Sequence, residues 1–251
     1  MSKILNLEDL SSGAMCNSLW QVAKFANDLA NTRKHLVYVV LHNTMHSSYY
    51  THSSADSDAI INLFDGLMKA FPSVYYCIEN VTPLSHQGIL RNGLWISDIA
   101  NICDWMNSRL CDKRVGVCFD LCHYETSCTF MSDATDQTCN EAWSDRIAPK
   151  LFDVCSEISA VGDLLWNVHV SSVVGLGDTK ESHAYPLSKR DIPMLENLVA
   201  SRVSPAGLSL YTMEVREDDY SKRLNAIESR KILEEVIRRS DAYGYNAEYV
   251  S

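Results

Sequence analysis

Five apolar, β-rich runs each close on or beside a residue able to bind a metal. This repeated ending constrains the chain more than any other feature. The runs are HLVYVVLH (35–42), VYYCIE (74–79), VGVCFD (115–120), LLWNVHV (164–170) and LSLYTMEV (208–215). They show little polar–apolar alternation, as expected of strands covered on both faces. Helical patterns fill most of the intervals, at residues 18–30, 57–71, 93–110, 141–158, 192–202 and 228–240. In the second of these, Ile60, Phe64, Leu67, Met68 and Phe71 recur on one apolar face. Strand–helix alternation predicts parallel β/α units in one α/β domain spanning residues 1–251. Residues 1–34 read as a mainly helical N-terminal segment, with KILNL at best one short strand, and residues 35–240 as the β/α core.

The five runs end on His42, Glu79, Asp120, His169 and Glu214. In a β/α barrel the C-terminal strand ends converge on one mouth, where active sites are built. A single Asp or Glu in that position often just caps the next helix. Five in succession point to a shared cation site. Oxygen and nitrogen donors from several strands suit zinc, manganese or magnesium. Within VGVCFDLCH, His123 follows Asp120 by three residues and is expected at the start of a loop, leaning into the same mouth. Further on, GLGDTKESHAYPL supplies Asp178, Glu181 and His183. A Glu-x-His pair in extended chain places both side chains on one side, so Glu181 and His183 can complete a neighbouring site.

Composition narrows the function classes. A 46% hydrophobic and 22% charged chain is ordinary for a soluble globular protein. A formal charge of −10 argues against binding nucleic acid through a broad basic surface. Bound cations reverse that sign locally, so a metal-centred nuclease stays open. Nine cysteines, odd in number and irregularly spaced, read as free thiols in a reducing compartment. The first fifteen residues lack a signal-peptide core, and no segment approaches the ~20 apolar residues of a membrane span. The expectation is a soluble intracellular protein, cytoplasmic or nuclear, with no membrane partner. GLGDTK lacks the lysine-bearing ending of a phosphate-binding loop, and no GxSxG elbow is present.

Taken in order, CIEN, VGVCFDLCH, VHVSS…ESH and MEV resemble the endonuclease IV family of apurinic/apyrimidinic endonucleases. That family belongs to the xylose-isomerase-like TIM barrels, and the resemblance runs from residue 36 to 240. It implies a cluster of two or three zinc ions and phosphodiester cleavage beside a base-free sugar in DNA. Carried over, Glu79 bridges two zincs and His42 joins it on the first. Asp120, His169 and Glu214 surround the second, and His123, Glu181 and His183 hold the third. The family usually has Asp where this chain has Glu181. Glu79 and Glu214 would orient the attacking water.

The departures are specific. Family members carry three further strands before the one ending at His42, and one of those strands normally brings another zinc-binding His. His46 and His52, in HNTMHSSYYTHSS, are substitutes in principle, although a solvated loop reads more naturally. The expectation is therefore an N-terminally shortened, incomplete TIM-like barrel of five to six β/α units. An open sheet leaves two edges needing cover: the helix at 18–30 is a candidate for one, and the C-terminal AYGYNAEYVS, a second copy or a partner chain for the other. Two other functions fit the same residues. One is a sugar isomerase or epimerase with a single Mn²⁺ or Mg²⁺ held by Glu79, Asp120, His169 and Glu214. The other is a non-catalytic descendant that serves as a binding protein.

Overall fold

The structure is a computed structural model that describes residues 13–43, 55–82, 95–134, 154–173, 184–201 and 210–242. Among these residues five strands form one sheet in sequence order: β1 (Val37–His42), β2 (Val74–Glu79), β3 (Val115–Asp120), β4 (Leu165–Val170) and β5 (Leu210–Met213). β1, β2 and β3 pair in parallel. Sequential order with intervening helices is the order of successive β/α units in a barrel wall. Five strands are too few to close an eight-strand barrel, as the sequence predicts. The chain divides into two compact units, Met1–Phe119 with Leu164–Asn167, and Asp120–Asp163 with Val168–Ser251.

In the first unit, α1 (Gly13–Arg33) buries Leu19, Ala23, Ala26 and Ala30, a helical stripe of mostly small residues that lets it lie close on β1 and β2. It ends with Lys34 in the left-handed region (φ 57°), whose N–H reaches Ala30 O at 2.8 Å. Helix α2 (Ala55–Ala70) buries Ile60, Phe64, Leu67 and Met68, four of the five residues on its expected apolar face. At its C-terminus the buried Arg114 guanidinium donates to the carbonyls of Met68 (2.5 Å), Phe71 (3.0 Å) and Val74 (3.0 Å). Met68 lies in the last turn of α2, where a carbonyl lacks a helical partner, and leaving such a group buried and unpaired costs about 1–3 kcal/mol. Arg114 thus ties the end of α2 to the start of β2 and β3. Helix α3 (Ile96–Arg109) fixes β3 in turn: Asn107 donates to Val115 O at 2.7 Å and accepts from Val115 N at 3.2 Å.

One sheet face of this unit carries an aromatic layer. Tyr75 packs edge-on against Trp166 (5.5 Å between ring centres) and against Tyr38 (6.1 Å). Trp166 occupies the space over Gly116, where an added Cβ would overlap its ring carbons. Gly116 is therefore required by the close approach of an indole and not by its backbone angles.

In the second unit, α4 (Leu121–Ala134) begins at the residue after Asp120. His123 consequently lies in the first turn of a helix, which corrects the expectation of a loop. Asp120 caps this helix, so its N-terminus starts as soon as the strand stops. Helix α5 (Val154–Val161) ends at Gly162, which has φ 54°. The remainder of the helix expected at 141–158 lies outside the described residues. A 3-10 turn at Lys189–Asp191, closed by a Ser188–Asp191 capping box, leads into α6 (Ile192–Ala200). Helix α6 packs on α5 and on α7 (Leu224–Ala242) and buries Leu195, Leu198 and Val199. The Glu217 carboxylate accepts the N–H groups of Asn225 (2.9 Å) and Ala226 (2.7 Å), a negative charge placed at the start of α7. None of the described cysteines is in a disulfide. No helix of the described residues is long and apolar enough to cross a membrane.

Candidate metal centre

Each unit gathers part of the predicted donor set at its strand ends. In the first unit, parallel pairing sets His42 directly beside Glu79. Their side chains meet, with His42 Nε2 3.1 Å from Glu79 Oε2. Glu79 is only 2% exposed, an unusual place for a carboxylate unless a proton donor or cation accompanies it. The ladder continues one step beyond the strand, with Asn43 N–H donating to Glu79 O at 3.1 Å, so the backbone holding the carboxylate is fixed. Glu79 is also in register with Cys118 of β3, whose Sγ lies within 4.8 Å of a Glu79 oxygen. Cys118 is a soft donor that nothing in the sequence singles out, being one small residue in an apolar run.

In the second unit, one donor atom each from Asp120, His169 and Glu214 lies within 4.8 Å of the others. His169 Nδ1 is 2.8 Å from Glu214 Oε2 and 3.9 Å from Asp120 Oδ2. Asp120 divides its two oxygens: Oδ1 accepts the His123 backbone N–H at 2.6 Å, leaving Oδ2 on the His169 side. One carboxylate thus caps the helix and also lies in the donor group with His169 and Glu214. The His123 ring stands 3.8 Å from Asp120 Oδ1. Glu214 lies one residue past β5, and its N–H donates to Val170 O at 3.2 Å. Its side chain is 54% exposed, so this group opens to solvent on the Glu214 side. Asp120 and His169 are buried.

Two carboxylates and an imidazole converging from three strand ends match the hard and borderline donors that zinc and manganese accept. A cation between them would offset the repulsion of two carboxylates facing one ring. Of the predicted ligands, His42 with Glu79 and Asp120 with His123, His169 and Glu214 are found in contact within their units. Glu181 and His183 lie outside the described residues, as do His46, His52 and Asp178.

No family model matches this sequence, and no curated protein matches it. Among solved structures the chain is similar to endonuclease IV from Thermus thermophilus, at 18% identity, over 92% of this chain and 73% of that one, with a TM-score of 0.52. It is also similar to an L-ribulose 3-epimerase, at 9% identity, over 98% and 78% of the two chains, with a TM-score of 0.49. Likeness at this distance concerns the fold alone: an α/β chain of the TIM-barrel kind, left incomplete.

Proposed function

We propose that this chain is a metal-dependent, endonuclease-IV-like phosphodiesterase that acts at abasic sites in DNA. In this reading Asp120, His169 and Glu214 are zinc ligands of one unit and His42 with Glu79 those of the other, with His123, Glu181 and His183 as further ligands. The observation that carries the reading is the convergence of Asp120, His169 and Glu214 donor atoms.

Bound zinc would supply a Lewis acid and a water whose pKa is lowered towards neutrality. The chain's own part is to orient. His42 fixes the rotamer of Glu79, and His169 fixes that of Glu214, so that each carboxylate is held ready to accept a hydrogen bond. Asp120, held by its cap bond, keeps His169 facing Glu214. A single-ion isomerase or epimerase is the second reading, favoured by the convergence of Asp120, His169 and Glu214 donor atoms within reach of one ion. The deciding experiment incubates zinc-loaded protein with a duplex carrying one abasic site. Cleavage by wild type and its loss in Glu79→Gln are expected; equal cleavage by both overturns the proposed mechanism.

A further inference from the structure

We infer that residues 246–250 form a sixth strand that pairs with the open edge of β5 in the same chain. β5 closes the strand order, so among the described residues it has a sheet neighbour on one side only. An edge of this kind presents a row of backbone N–H and C=O groups to which another strand can add. β5 is also the least covered strand: none of its four residues is buried, whereas all six of β3 are. Leu210, at its start, is 50% exposed.

The β/α repeat brings the chain back to that edge. Helix α7 follows β5, packs against it and against α6, and ends at Ala242. In a β/α unit the helix leads into a strand that lies beside the one the chain left, by a right-handed crossover. The strands here follow that rule, each lying next to its predecessor in sequence. Where the described residues cover the turn from helix to strand, it is short: residues 71–73 before β2, 110–114 before β3 and 162–164 before β4. Turns of the same length past Ala242 start the next strand at a residue from 246 to 248. β4 already fills one side of β5, so the returning strand takes the other.

Residues 243–251, which lie outside the described residues, have the sequence this position needs. Gly244 comes two residues after α7, the residue type that ends helices. Beyond it Ala247 and Tyr249 alternate with Glu248 and Val250, and Tyr243 and Tyr245 continue the first series. Period two is the pattern of a strand with one face covered. No proline interrupts it, and Glu248 is a charge of the kind that keeps an outermost strand from recruiting another. A strand tethered to α7 by a few residues meets β5 at an effective concentration of about millimolar order, which favours it over the same segment from a second copy. β5 runs directly into Glu214, so pairing at this edge also steadies the segment that carries the Glu214 carboxylate to His169.

The test is hydrogen exchange of the full-length protein, read amide by amide by NMR. Expected is slowed exchange at alternate amides within residues 246–250 and in β5. An edge strand donates only every second N–H to its neighbour, so proline is tolerated at one parity and not at the other. Of Ala247→Pro and Glu248→Pro, one should speed exchange of the β5 amides at least about tenfold, and the other should leave it within about twofold of wild type. Circular dichroism confirms that both variants are folded. Equal effects of the two substitutions, whether nil or large, overturn the inference, as does unslowed exchange throughout residues 246–250. Protection that disappears on dilution, with a dimer in sedimentation at the higher concentration, assigns the strand to a second copy and overturns pairing within one chain.

Discussion

His169 Nδ1 stands 2.8 Å from Glu214 Oε2, joining the end of β4 to the first residue past β5. At that distance the two groups share either a proton or a cation, and Asp120 Oδ2, 3.9 Å from the same nitrogen, adds a second carboxylate to the contest. Glu214→Gln keeps the shape and removes the charge. Zinc affinity is expected to fall by at least about tenfold, read by competition with a chromogenic chelator. Unchanged affinity would mean that Glu214 only orients the imidazole.

Glu125, in α4, gives a pH prediction. Burial raises its pKa above the ordinary carboxylate value, the Asp191 charge raises it further, and Arg190 opposes both. A raised folded-state value means that the neutral acid is the form the fold accommodates. Its contribution is intact below the unfolded pKa and is lost as pH rises through the folded one. Glu125→Gln should therefore match wild type in urea denaturation near pH 4 and become progressively more stable than it towards neutrality. A stability difference independent of pH would contradict the assignment.

Gly116→Ala tests the aromatic layer. The new methyl meets the Trp166 ring with no room to spare, and overpacking of this kind costs about 1–3 kcal/mol. Thermal melting should show a drop of roughly 2–4 °C for each kcal/mol in a chain of this size. Adding Trp166→Leu should restore much of the loss, because the clash is with one ring. No recovery would place the strain in the backbone instead.

The strands and the donors at their ends were legible in the sequence because their signals are local. Five apolar runs bounded by polar residues gave β1 to β4 to within about a residue or two, and the run 208–215 contains β5 and extends two residues past its C-terminal end, with 208 and 209 outside the described residues. The helix α4 was missed. LCHYETSCTF carries no strong apolar stripe, and the Asp120 cap that starts it looked like a ligand, which it also resembles in the structure. The contacts of Arg114, of Trp166 with Gly116, and of Arg190 with Ser172 were not legible. Each joins residues far apart in the chain, and no spacing rule encodes such a meeting.

The most direct measurement is metal content. Wild type, Asp120→Asn and Glu79→Gln are each reconstituted with zinc, desalted and analysed by plasma mass spectrometry. Wild type should retain at least one zinc per chain and each variant should lose it, with circular dichroism unchanged. Wild-type protein that retains no zinc, and binds neither manganese nor magnesium by calorimetry, would contradict a metal centre built on these strand ends.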